Sequence, residues 1–357
     1  MAVHQVVVSA STGDAVTNFA LELRSLYREG GESELFSVHV DPALLGEVHL
    51  LRRYHEVAAS AAAGDTIVYH ASIGNSEVVE FLLSRPERLV LVYHNVSPPE
   101  SFAPYEPAFA ALLRGGRDEI ARLRPRVDLA VAVSQYNASD LAALGYRDVQ
   151  VAPLIIEPDR LLAVEPDPVM RHHISAHVRG PMALFVGQLL PHKRPELLVE
   201  AFHIVSTYLE PSAHLVLLGA RRIPAFAAAL QRQIVELGLA NAWITGALSD
   251  TEVRAYFDRA DVFVTASDHE GFCVPLLEAM SFGIPVVARG TSAVPETLGE
   301  AGLIVPPDDG PMVFAEAWAM AADDAATRAE LIARGRARLH GFEPDAARAR
   351  WRELVAV

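Results

Sequence analysis

The stretch SDHEGFCVPLLEAMSFGIPVVA, residues 267–288, decides how this chain is read. It follows the apolar run Val262–Thr265, which reads as a strand, and it opens a helix at Pro275. Proline suits a helix start, because its missing N–H would have no partner there anyway. The unpaired N–H groups of a helix N-terminus, with its partial positive charge, stabilise an anion such as a diphosphate. Glu270 lies in the loop and Glu278 in the first turns of the helix. Two carboxylates touching a phosphate would repel it. They are better placed to accept hydrogen bonds from hydroxyls on either side, one set from a sugar ring and the other from a ribose. Taken singly, Glu270 reads as a solvated loop acid and Glu278 as a favourable first-turn acid. The string with Gly271, Phe272, Pro275 and both glutamates in register is what points to a site.

Outward from this stretch the chain repeats a short apolar run, a turn and a helical pattern, which argues for βαβ units and parallel sheets. Predicted strands in the first half are Gln5–Ser9, Glu34–Val40, Thr66–His70, Leu89–Tyr93, Leu129–Val133 and Val149–Ala152. The pattern restarts with Ala183–Val186, His214–Leu218, Trp243–Ile244, Val262–Thr265, Val286–Ala288 and Leu303–Ile304. Residues 158–180, rich in Pro, Asp and His and weakly periodic, read as a linker. The expectation is α/β: a Rossmann-like domain over 1–157, the linker, a second Rossmann-like domain over 181–340 and a helical tail over 341–357. The length of 357 residues, at roughly 150 per domain, also gives about two. Ligands of open parallel sheets bind beyond the carboxyl ends of the strands, so the cleft between two such domains is the expected site.

The two glutamates, with seven residues between them, resemble the signature of glycosyltransferase family 4, retaining enzymes of the GT-B fold that use nucleotide-activated sugars. The resemblance covers most of 183–310 closely and 1–155 only loosely. It implies that Glu270 contacts the donor sugar and Glu278 holds the ribose. It also implies that the backbone N–H groups around Gly271, Phe272, Cys273 and Val274 face donor sugar and phosphate. The family usually has glycine where this chain has Cys273. That side chain either narrows which sugar fits or is simply small and buried.

A second segment, ALFVGQLLPHKRPELLVEAF, residues 183–202, reads as strand, tight loop and helix. The family pattern here is Gly-Arg, four residues, then Lys, and its two cations contact the diphosphate. Gly187 and Lys193 match it; Gln188 stands where arginine is usual and brings no charge. Either another cation compensates, with Arg194 and Arg221 as candidates, or the donor binds more weakly. Lys193 is the sole lysine among 30 basic residues. In the first half, Gly13 lies in a small-residue loop, SASTGDAVTNFALEL, that would sit close to donor phosphate or acceptor. His94, in YHNVSPPESF after a predicted strand, falls where the family places a histidine toward the reacting sugar. A hydrogen-bonded structural histidine would read the same. The family's Pro-Asn-Gly at the start of the linker is replaced by Pro153, Leu154 and Ile155.

Composition bounds the partners. Thirty basic against 45 acidic residues give a net charge of −15, which disfavours nucleic acid. One cysteine fits a reducing, cytoplasmic setting. The start, MAVHQVVVSAS, lacks a basic region and a long apolar core, and no run approaches the roughly 18 apolar residues of a membrane span. Composition leaves peripheral membrane contact open. No Gly-x-Gly-x-x-Gly or phosphate loop, no Asp-x-Asp pair and no zinc spacing is found, so no cofactor and no metal are expected. The resemblance implies transfer of a hexosyl unit from a nucleotide diphosphate sugar to a hydroxyl of a glycan, a lipid-linked glycan or a small molecule. Glu270, Lys193 and His94 would be the catalytic residues, and the tail helix would pack on the first domain. A nucleotide-sugar epimerase and a non-catalytic nucleotide-sugar-binding relative are the alternatives.

Overall fold

Short runs of valine, leucine and isoleucine supply the strands, and most are buried on both faces. Such strands read as continuous apolar runs rather than alternations, as parallel sheets covered by helices require. The computed structural model describes residues 2–58 and 64–355. The chain forms two units: 1–103, 107–156 and 342–357 in the first, 104–106 and 157–341 in the second.

In the first unit the described strands are β1 (Val3–Ala10), β2 (Leu35–Val40), β3 (Val48–Leu50), β4 (Thr66–Ala71), β5 (Arg88–Tyr93), β6 (Leu129–Ala132) and β7 (Gln150–Val151). They form one parallel sheet in the order β3-β2-β1-β4-β5-β6-β7. The second unit has β8 (Met182–Val186), β9 (His214–Leu218), β10 (Ala242–Gly246), β11 (Val262–Thr265), β12 (Val286–Arg289) and β13 (Gly302–Val305). Their order is β10-β9-β8-β11-β12-β13, again parallel throughout. Both sheets reverse strand order once, between β1 and β4 and between β8 and β11. At such a point the loops beyond neighbouring strands diverge and leave a crevice.

Helices cover the sheets with apolar faces. In the second unit Phe202 and Trp318 stack at 5.7 Å over Leu215, Leu217 and Val264. In the first, the C-terminal helix Pro344–Val355 packs on helix Ala15–Arg28. Trp351 is fully buried, donates Nε1–H to the Pro153 carbonyl at 2.8 Å and meets the Phe19 ring at 5.3 Å.

Two details differ from the sequence expectation. Residues 158–180 are no free linker. They carry the helix Pro168–His177, capped by Asp167 with Pro168 in its first turn, and Asp167 N–H bonds to the Thr251 carbonyl at 2.9 Å. Its periodicity is weak because Ile174 is its one buried residue. Strand β3 escapes sequence reading because three residues at a sheet edge are too few to show a pattern.

Candidate functional site

The loops beyond β8 and β11, the strands flanking the reversal in the second unit, bring the predicted residues together. Beyond β11, Ser267–Phe272 form a loop and Val274–Ser281 a helix. Beyond β8, Gly187 and Gln188 lead through a short 3-10 turn, Pro191–Lys193, into helix Pro195–Ile204. Lys193 Nζ lies 2.5 Å from Glu270 Oε1, across 77 residues of sequence. Ser267 Oγ donates to the same Oε1 at 2.7 Å and lies 3.2 Å from Thr265 Oγ1. Glu270 is only 8% exposed. Burial works against the Lys193 ammonium, but the Glu270 carboxylate outweighs it and holds Lys193 above its ordinary range. Lys193 is therefore held as an ammonium, with further N–H donors left for a ligand.

The loop itself is fixed by the segment after β12. Glu270 N–H donates to Ser292 Oγ at 2.7 Å, and Thr297 Oγ1 donates to the Phe272 carbonyl at 2.5 Å. Thr291 Oγ1 donates to the Ser267 carbonyl. None of Thr291, Ser292 and Thr297 was singled out by sequence reading, since nothing in their spacing ties them to a loop some 25 residues away, and Ser267, within that loop, went unmarked too. Ser249 and Glu252 form a capping box at the start of helix Asp250–Arg259.

Cys273 is buried, sits just before the helix and adopts φ +73, the left-handed region. That backbone explains why glycine suits this position, and the cysteine holds it at some cost. Burial, and then the nearby Glu270 charge, push its thiol well above the usual range, so it is neutral and a poor nucleophile. Gly271 and Val274 flank this turn and Phe272 is buried beside it. Glu278 lies one turn along the helix, half-buried. Burial lifts its carboxyl to about 7, against the opposing pull of Arg160.

Gly187 N–H bonds to the Leu218 carbonyl, and Gly219 N–H bonds to that of Gly246. The requirement for glycine falls on Gly219: a Cβ there would lie 1.8 Å from the Gly187 carbonyl oxygen. At Gly187 the nearest atom to an added Cβ, on the Phe185 ring, is 3.3 Å away. Gln188 is half-buried. The two candidate compensating cations are engaged elsewhere. Arg194 pairs with Glu196 and with Asp268 at 2.9 Å, and Asp268 also meets Arg289 at 3.3 Å. Arg221 donates to the Ile244 carbonyl at 2.8 Å.

His94 and Gly13 belong to the first unit. Gly13 has φ +72 in the loop before Asp14, which caps helix Ala15–Arg28 by accepting from Thr17 N–H at 2.8 Å. His94 follows β5, with its N–H on the Ala71 carbonyl at 2.9 Å. Burial drives its imidazole down to about 3, so it is neutral. Its neighbours are anchored: Tyr93 O–H donates to Asp140 at 2.5 Å, and Asn95 to Asn137 at 2.8 Å.

Residues 171–338 match the model of the glycosyl transferases group 1 family. O-antigen chain mannosyltransferase B of Escherichia coli is 33% identical over 162 residues, 45% of this chain and 42% of that protein. The GDP-mannose-dependent alpha-(1-6)-phosphatidylinositol monomannoside mannosyltransferase of Mycobacterium tuberculosis is 28% identical over 261 residues, 69% of this chain and 64% of that protein. The chain thus spans about two fifths to two thirds of the length of these curated relatives. The Anabaena protein HepE, solved in complex with UDP-glucose, superposes with a TM-score of 0.79 over 99% of each chain at 17% identity. That likeness shows the GT-B fold. With the family match covering nearly all of its length, the second unit of this chain belongs to the glycosyl transferases group 1 family.

Proposed function

We propose that the protein transfers a hexosyl unit from a nucleotide diphosphate sugar to an acceptor hydroxyl, with retention at the anomeric carbon and without a metal ion. The observation that carries the reading is the 2.5 Å pair of Lys193 and Glu270 at the strand-order reversal, beside the N-terminus of helix Val274–Ser281. A diphosphate set there meets the helix N–H groups and the spare donors of Lys193, which offset charge growing on the leaving group. Glu270 accepts from sugar hydroxyls, Glu278 from the ribose and His94 from the sugar. Gly13, Gly187, Gln188, Gly271, Phe272, Cys273 and Val274 supply close backbone around the donor. The bond from the anomeric carbon to phosphate breaks while the bond to the acceptor oxygen forms on the same face. The departing phosphate oxygen takes the acceptor's proton. Glu270, held by Lys193 and Ser267, is a binding group here rather than a nucleophile. The names of the relatives favour GDP-mannose as donor and a mannose-bearing glycan or glycolipid as acceptor, and UDP-glucose is the second donor to try.

The test is release of nucleoside diphosphate from GDP-mannose and UDP-glucose over a panel of mannosides, with Lys193→Met and Glu270→Gln beside the parent. Each substitution is expected to lower turnover about a hundredfold or more. Near-parent rates in both would defeat the site assignment. Donor binding by the parent, seen as a raised melting temperature, with no turnover on any acceptor would favour the non-catalytic alternative. That alternative draws on Gln188 and on the engagement of Arg194 and Arg221.

A further inference from the structure

Beneath His94 lies a polar array that crosses three neighbouring strands. Gln5 on β1 is in register with Val68 on β4, and Val7 with His70. His70 is in register with Val92, two residues before His94. Side chains two apart share a face, so Gln5, His70 and His94 project from the same side of the sheet. Gln5 and His70 are fully buried. Gln5 Nε2 donates to the Ala20 carbonyl at 3.0 Å, and Gln5 Oε1 lies 2.8 Å from His70 Nε2. His70 Nδ1 lies 3.0 Å from His94 Nε2. Phe19 packs edge-on against both imidazoles, at 5.8 and 5.6 Å, with Trp351 behind it.

The direction of each hydrogen bond follows from one end. Turning the Gln5 amide round would set its oxygen against the Ala20 carbonyl, two acceptors at bonding distance. Gln5 Oε1 therefore faces His70 and can only accept, so His70 Nε2 carries a hydrogen. Burial pushes His70 well below the usual imidazole range, so the ring is neutral and has just that one. Its Nδ1 is then a lone pair, and the hydrogen of the next bond must sit on His94 Nε2. His94 is neutral too, which leaves its Nδ1 bare.

We infer that Gln5 and His70 are positioning residues that lock His94 in the tautomer protonated at Nε2, so that its Nδ1 meets a polyol ligand as an acceptor from a hydroxyl and not as an acid. The ligand part of this rests on the proposed sugar transfer; the tautomer does not.

The test is nitrogen-15 NMR of the full chain labelled at histidine, with His70→Gln and His94→Gln used for assignment. Long-range proton–nitrogen correlations are expected to show both rings bare at Nδ1. A nitrogen–nitrogen coupling should cross the bond from His94 Nε2 to His70 Nδ1. A hydrogen on His94 Nδ1 in the parent, or absence of that coupling, overturns the inference. Gln5→Glu offers the sharper contrast. A buried carboxylate draws a second proton onto His70, whose Nδ1–H then donates to His94 Nε2 and forces the His94 hydrogen onto Nδ1. A parent-like His94 tautomer in a folded Gln5→Glu protein, with its carboxylate ionised, overturns it equally. Where GDP-mannose is turned over, His70→Leu should lower kcat about tenfold with KM little changed. His70→Gln, whose amide oxygen can still accept from His94, should restore most of it. Turnover with the wrong tautomer defeats the array alone. The expected tautomer with no turnover of any nucleotide sugar defeats the transfer reading alone.

Discussion

Glu278 is the residue whose environment sets the sharpest pH behaviour. Its carboxyl titrates near 7 because burial disfavours the charge more than Arg160 favours it. The folded-state value is raised above the unfolded one, so the folded protein binds more protons between about 4.5 and 7. Stability from this group is full below that window and is lost as pH rises through 7. Because the side chain keeps some contact with solvent, the effect is on the order of 2 kcal/mol. Glu278→Gln should therefore unfold at higher urea than the parent at pH 8 and at nearly the same urea at pH 4. Nucleotide binding should run the opposite way. On the proposed role of Glu278 a ribose hydroxyl donates to it, and a carboxylate is a stronger acceptor than a neutral carboxyl, so the stabilisation by GDP should grow as pH rises through 7, and in Glu278→Gln it should not. Equal pH dependence in the two proteins would show that this carboxyl does not titrate there.

At the scale of elements, the junction of β8, β9 and β10 is closed by backbone alone. An added methyl at Gly219 would overlap the Gly187 carbonyl, whereas one at Gly13 meets no atom within 4 Å and contends only with φ +72. Gly219→Ala should cost several kcal/mol, seen as a large drop in melting temperature, while Gly13→Ala should cost about 1 kcal/mol. The strands were legible in the sequence because a parallel sheet buried on both faces concentrates valine and leucine in runs. Those on either side of both strand-order reversals were located to within a few residues. Elements with little apolar surface were not legible: β3 has three residues and helix Pro168–His177 buries one. Within the site the same division holds. Glu270, Glu278 and Lys193 stand in motifs whose spacing is local. Ser267 was inside the decisive stretch and still went unmarked. Ser292, Thr297 and Gln5 act through contacts between loops or neighbouring strands, and no local spacing records such a contact. Cys273 was read through its side chain, whereas its φ of +73 shows that the backbone makes the stronger demand.

At the scale of the whole molecule, the chain returns to its first unit to finish it. Trp351, from the last helix, fills the space above Phe19 and binds the Pro153 carbonyl, where the usual Pro-Asn-Gly gives way to Pro153-Leu154-Ile155. Trp351→Ala leaves a large void and an unpaired carbonyl, and should destabilise the first unit by about 3–5 kcal/mol. Hydrogen exchange should then rise across helix Ala15–Arg28 and β5, which the tail helix contacts, and stay unchanged across β8, β11 and β12. Uniform acceleration would mean that the two units unfold as one. The possession of a single lysine, held as an ammonium against Glu270, reaches further still. Acylating reagents attack only the unprotonated amine, so Lys193 should resist them in the parent and yield in Glu270→Gln. No other side-chain amine exists, so an acyl group found on the peptide bearing Lys193, told apart from one on the terminal amine, would report, molecule by molecule, whether that contact is made or broken.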